Sequence, residues 1–449
     1  MLLLRIDRKG NIQNQLVTNI IDLINQGELK FGDYLPSIRS MSDHFSISRS
    51  SVIGAYEKLA SLGVVQSKER SGFFVAAIFD RELHEKAKDV LFIDNNQRPN
   101  DGKGLLEYVD DTNIPGAFMK KYFLDLHLNK TADAEHFDLK ENIINTVLSL
   151  RGMKMKFSNT VVSKSATSLV FSIALAIKNH NPNPCVVLEF PCNQLIYEIF
   201  NSFNFDIKLV PVDSNGLMVD QLPNEPVDCI YVTPSYQFPT GGILNQERRA
   251  YLTEWCLKND AWLIEDDSWA IMNLGKKITS PIYLNGQNDR LIYVTSLGLI
   301  LGSETSVGIG VFPEALLDKV QDIENIVNNE SSVMFSKLIS DYLGSNRIIR
   351  DIANLAQKRR EKYQLAIEGV NRAFDDPDVW GEPRSTYFSF NMQDVGLLKN
   401  SEILNKITLI SDRCNCTDYP EFKNRVIYPF ASLSLDEIGR INQQLALNR

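Results

Sequence analysis

The stretch from Leu35 to Val75, LPSIRSMSDHFSISRSSVIGAYEKLASLGVVQSKERSGFFV, constrains this chain more than any other. Ile38, Met41 and Phe45 recur at helical spacing behind Ser37. Val52, Ala55, Tyr56 and Leu59 do the same behind Ser48, with polar Ser46 to Ser48 between the two runs. Each serine stands where a hydroxyl accepts from an unpaired N–H of a first helical turn. The spacing therefore predicts two short helices joined by a tight turn, the second leaving Arg49, Ser50, Ser51 and Gly54 on the side away from the core. Gly63 supplies the helix stop. Val64–Ser67 and Phe73–Val75 then read as two short strands, with Lys68, Arg70 and Gly72 at the tip between them. Upstream, Ile12, Leu16, Ile20 and Ile24 predict a supporting helix over residues 11 to 26.

Short side chains at a helix N-terminus let the backbone approach DNA, and Arg49 reaches a phosphate or a guanine edge from there. A basic hairpin tip suits phosphates or a minor groove. Helical periodicity alone fits a small helical domain with a solvated loop equally well. The full ordered series, however, resembles the winged helix-turn-helix of the GntR family. It has the LPSxR entry, the SR before the recognition helix, the AYExL that ends it and the SGxFV of the wing, over roughly residues 10 to 76. The resemblance implies that Arg39, Arg49, Ser50, Ser51, Lys68 and Gly72 touch double-stranded DNA around the capping Ser48, helix residues reading bases and phosphate contacts setting position.

A chain of 449 residues is too long for one such module and predicts two or three domains. No apolar run approaches the roughly 20 residues that span a bilayer, and MLLLRIDRKG is charged too early for a secretory signal. Six cysteines without a regular framework fit a reducing compartment, so a cytoplasmic protein is expected. Cys414 and Cys416 form a lone C-x-C without a second ligand pair, and the five histidines fall in no ligand spacing, so no metal is expected. The net charge of -9 is unevenly spread. Residues 1 to 77 hold nine positive and seven negative side chains, a balance of +2, which leaves -11 on the remainder. An acidic bulk with a slightly basic head lets the head alone engage DNA.

From about Ala76 to Lys103 the pattern becomes polar, ending in DNNQRPNDGKG, and reads as a linker. The expected division is a head at 1–77, a linker at 78–104, a large domain at 105–337 and a small C-terminal α+β subdomain at 338–449. Beyond Leu105, helical patterns alternate with β-branched runs at 160–162, 185–188, 207–212, 229–232, 262–264, 291–294 and 306–312, which predicts an α/β domain with a mostly parallel sheet. In such sheets ligands bind at the carboxyl ends of the strands. A long charged helix from Arg347 and a strand from Tyr387 to Asn391 follow.

The order of VVLEFPCN, YVTPSYQFPTGG, WLIEDDSW and YVTSLGLILGSETSVGIG resembles the fold-type I aminotransferases, and specifically the MocR-type regulators that fuse a GntR head to such a body. That family holds pyridoxal phosphate as a Schiff base, which requires an amine. Laid on the family's SFSKTL pattern, Leu299 takes the lysine position, and no lysine lies between Tyr293 and Phe312. The nearest upstream lysines, Lys276 and Lys277, precede a different strand. Asp266 matches the partner of the pyridinium nitrogen and Ser165 a phosphate-loop hydroxyl. Ser268 replaces the tyrosine on the phenolic oxygen, Asn193 the stacking aromatic and Lys164 the glycine of the phosphate loop. Ser306 replaces the phosphate arginine and Ile427 the substrate-carboxylate arginine. Taken plainly, Asp266 reads as a solvated strand end, Lys164 as a solvated loop lysine, and Tyr236 and Tyr387 as core or rim aromatics.

The resulting expectation is a homodimeric DNA-binding regulator whose degenerate body is catalytically inactive, carries no covalent cofactor and answers a small-molecule effector of unidentified chemistry. A regulator that keeps pyridoxal phosphate non-covalently through Asp266 and Ser165 is the alternative. A working aminotransferase is disfavoured by Leu299.

Overall fold

The computed structural model describes residues 12–25, 28–30, 32–61, 64–68, 72–75, 138–273, 280–285, 289–302, 306–327, 333–345, 347–392, 395, 398, 406–412 and 419–446. The expected linker, the wing tip with Arg70, Gly63, Lys276 and Lys277, and the Cys414–Cys416 pair all lie outside these residues. The chain divides into two compact units, residues 1–92 and 93–449.

In the first unit, α1 (Ile12–Asn25), α2 (Ile38–Phe45) and α3 (Arg49–Ser61) precede β1 (Val65–Lys68) and β2 (Gly72–Val75), an antiparallel hairpin. The helices form because their apolar stripes share one core. Leu16, Ile20, Val52, Ala55 and Leu59 are all fully buried, with Met41 and Tyr56 1% exposed. Ser37 caps α2 by accepting from Ser40 N at 3.1 Å, and Ser46 adopts the left-handed conformation that ends it. Gly72 has φ +96°, a backbone that favours glycine at the entry to β2.

The second unit is built on an eight-stranded sheet of order β3-β10-β9-β8-β7-β4-β5-β6. Its strands are β3 (Thr160–Ser163), β4 (Cys185–Phe190), β5 (Asp206–Asp213), β6 (Gly216–Leu217), β7 (Cys229–Val232), β8 (Trp262–Asp266), β9 (Leu291–Ser296) and β10 (Gly308–Val311). The central pairs β5/β4, β4/β7, β7/β8 and β8/β9 are parallel, whereas β10 runs antiparallel to both β3 and β9. Strands covered on both faces need continuous apolar runs, and β7 and β8 are buried at every position. Helices Ala166–His180, Gln194–Ser202 and Gln246–Lys258 supply the crossovers. The order reverses between β4 and β7, so the loops after these two strands flank the crevice where such sheets take ligands.

A three-stranded antiparallel sheet of order β11-β13-β12 completes this unit, from β11 (Phe388–Asn391), β12 (Thr408–Leu409) and β13 (Arg425–Tyr428). Helices Arg347–Ala373 and Leu435–Ala446 pack on it around Phe388, Phe390, Tyr428 and Phe430. Among the described residues no helix is long and apolar enough to cross a membrane.

Candidate functional site

In the head, Ser48 closes the turn before α3. Its hydroxyl accepts from Ser51 N at 3.1 Å and shares hydrogen bonds with the hydroxyls of Ser50 at 2.9 Å and Ser51 at 2.8 Å. One cap therefore orients the small polar groups of the first turn. Arg49 and Ser50 are exposed, whereas Ser51 is half-buried. Arg39 on α2 has a side chain 81% exposed and lies 3.7 Å from Asp43 one turn on. Exposed pairs of that kind hold weakly, which leaves the guanidinium available.

Tyr56 fixes α3 at both ends of its environment. Its buried hydroxyl donates to Pro36 O at 2.8 Å, and its ring meets Phe73 edge-on at 5.3 Å. The wing is held in turn by Leu35 N on Phe73 O at 2.8 Å and by Val75 N on Asp33 O at 2.9 Å. Lys68 ends β1 and Gly72 opens β2, opposite each other in register.

Gly54 departs from its expected place. A Cβ there would lie 2.9 Å from the Gln13 side chain, so this flank of α3 faces α1 and not open solvent. Residue 53, not 54, continues the exposed stripe, and Ile53 is 40% exposed.

In the body, the selected residues converge on the carboxyl ends of the central strands. Asn193 follows β4, Asp266 ends β8 with Ser268 just beyond, and Leu299 follows β9 in the short helical turn Gly298–Leu301. Ser306 approaches the same end from the antiparallel β10, its hydroxyl 3.0 Å from that of Ser296, which also accepts from Gly298 N at 3.0 Å. Ser165 caps the helix Ala166–His180 by accepting from Ser168 N at 3.0 Å. Gly308 brings β10 against that cap, since a Cβ would lie 2.2 Å from Ser165 O. Lys164 is exposed.

Asp266 is 8% exposed, not a solvated strand end. Its oxygens accept from Ser268 N at 2.9 Å and from the Tyr231 hydroxyl, and burial pushes the carboxyl above its ordinary range. Asn193 caps the helix Gln194–Ser202, accepting from Leu195 N at 3.0 Å. Leu299 is 7% exposed and packs as a core side chain.

Several groups here, Tyr236 and Tyr387 apart, were not anticipated from the sequence. Glu189 is 3% exposed at the end of β4 and accepts from Thr233 N at 3.1 Å and the Thr233 hydroxyl at 2.6 Å. Burial pushes its carboxyl up to about 7. Asp267 holds Arg151 Nε at 2.8 Å, the Tyr293 hydroxyl at 2.9 Å and the Ser235 hydroxyl at 2.7 Å. Phe238 stacks on Trp269 with ring centres 5.0 Å apart, and the buried Tyr387 meets both rings edge-on. Tyr236 is buried as well. A glutamate inside the apolar VVLEF run was the visible signal for Glu189, because a charge there demands partners.

At the end of β9 Leu299 offers no amine for a Schiff base with pyridoxal phosphate, and the Ser306 hydroxyl meets that of Ser296.

The model of bacterial regulatory proteins of the gntR family matches residues 12–75. Over longer spans the chain is similar to the HTH-type transcriptional regulator YdeL of Bacillus subtilis, 24% identical over 373 residues that cover 80% of this chain and 79% of that one. It is 24% identical over 359 residues to the HTH-type pyridoxine biosynthesis transcriptional regulator PdxR of Corynebacterium glutamicum, covering 79% and 78%. Among solved structures, kynurenine aminotransferase of Pyrococcus horikoshii shares the fold with a TM-score of 0.64 at 18% identity, over 82% of this chain and 93% of that one. An archaeal alanine:glyoxylate aminotransferase gives 0.62 at 18% identity, over 82% and 92%. With a GntR-family head and a body of the fold-type I aminotransferase fold, this chain is a transcriptional regulator of MocR-type architecture.

Proposed function

We propose that the head binds duplex DNA through the first turn of α3, with Ser48, Arg49, Ser50 and Ser51 at the groove. Arg39, Lys68 and Gly72 lie against the flanking phosphates. The body then serves as a dimerisation scaffold and effector pocket that performs no Schiff-base chemistry. The observation carrying this reading is Leu299, buried at the end of β9 where the chemistry requires an amine. A dimer presents two heads to two half-sites, and an effector regulates by binding the two head arrangements unequally.

A second reading, non-covalent binding of pyridoxal phosphate, is favoured by the buried Asp266 and the hydroxyls of Ser165, Ser296 and Ser306. Absorbance titration of the purified protein with pyridoxal phosphate between about 320 and 450 nm, then borohydride reduction and mass analysis, separates the two. The primary reading expects no band shift and no adduct. A shifted band without an adduct supports the second reading, and an adduct on one lysine overturns both.

A further inference from the structure

The exposed stripe of α3 runs Arg49, Ser50, Ile53, Glu57, while Val52, Ala55, Tyr56 and Leu59 fill the core. Ile53 is 40% exposed amid polar neighbours. A single exposed aliphatic side chain is ordinary on a protein surface, so it is the place of Ile53 on the face of Arg49 and Ser50 that marks it. We propose that Ile53 is a specificity residue that reads the C5-methyl group of a thymine in the major groove.

The placement carries the inference. Ile53 stands four residues after Arg49 and three after Ser50, so all three line one face of the first two turns. At 1.5 Å per residue the step from Arg49 to Ile53 is ~6 Å along the axis, close to two base-pair rises of ~3.4 Å. Glu57, four residues further, sets a carboxylate on the same face, and its repulsion from phosphates keeps the later turns out of the groove. The N-terminal half thus offers a cation, a hydroxyl and an aliphatic tip in that order. The aliphatic tip matches the only apolar mark that the major-groove edge of a base pair displays.

The inference rests on the proposed DNA-binding reading, and its test keeps the two apart. The full-length protein selects duplexes from a pool with a random core, and the enriched sequence is remade with each thymine replaced in turn by deoxyuridine, which removes only the methyl. Binding is read by fluorescence anisotropy. In the wild type, one thymine per half-site, about two base pairs from the Arg49 contact, loses about fourfold in affinity on losing its methyl. In Ile53→Ala that loss disappears, while the head keeps its melting temperature within a few degrees, since the better helix former offsets the modest packing lost. Arg49-dependent binding in which no single methyl matters, or a methyl effect that survives in Ile53→Ala, overturns the proposal and leaves the DNA-binding reading standing. A change in oligomeric state in Ile53→Ala reassigns the side chain to a protein contact and also overturns it. Failure to enrich any sequence overturns both readings.

Discussion

Asp267 binds one cation and two hydroxyls in a site closed to water, with the Arg151 side chain only 2% exposed. Burial penalises the Arg151 cation, yet Asp267 and Tyr293 more than offset it and hold the guanidinium above its usual range. Removing the carboxylate strands that cation. Asp267→Ala is therefore expected to destabilise the body by about 3–5 kcal/mol in a urea titration, and a loss below about 1 kcal/mol would count against the network. Glu189 behaves differently because no cation pairs with its carboxylate among the described residues. Its folded pKa of about 7 lies above the ordinary 4.5, so the folded state keeps a proton that the unfolded chain gives up as pH rises. Stability is accordingly lost between about pH 4.5 and pH 7, by about 3 kcal/mol from this group alone. Glu189→Gln is expected to unfold at a higher temperature than wild type at pH 8 and to lose that advantage at pH 5. Parallel curves for the two proteins across that range would contradict the assignment.

Helix caps place the candidate groups at the scale of elements. Ser48 and Asn193 each satisfy a first-turn N–H, and Ala at either position is expected to cost about 1 kcal/mol. Calorimetry should register the first loss in the melting of the head and the second in that of the body. The central strands β4, β7, β8 and β9 were legible in the sequence because burial on both faces demands unbroken apolar runs, which few other structures share. β13 escaped notice because Arg425 opens it and its partner β11 lies far away in the chain. The cap at Ser48 was readable from local chemistry, whereas the orientation of Gly54 was not, since α1 decides it by packing Gln13 against that flank. Glu189 belongs to the same class, because Thr233 and Gln237, its partners, stand more than forty residues away.

At the scale of the molecule, charge is divided between a head near neutrality and an acidic remainder. Binding should then be confined to the head and governed by its few cations. Arg39→Ala is expected to weaken binding about equally for all sequences and to reduce the salt slope of log K by about 1. If the chain binds as the proposed dimer, scrambling one half-site of the selected duplex should weaken binding by ~10²-fold or more, the loss of a linked second contact. Equal affinity for one and two half-sites would mean that the chain binds as a single head.

Within the body, the small sheet is stitched to the loop after β7. The Tyr387 hydroxyl donates to Gln237 O at 3.0 Å, the Ser389 hydroxyl donates to Thr240 O, and the stack of Phe238 on Trp269 closes against Tyr387. The loop cannot open without unseating β11. Amide hydrogens on both sides of that seam, such as Gly241 N on Gln237 O and Ser389 N on Trp380 O, should consequently trade for deuterium at one shared rate. Any molecule wedged under the loop would announce itself as a change in exchange along the strand, some 150 residues further down the chain.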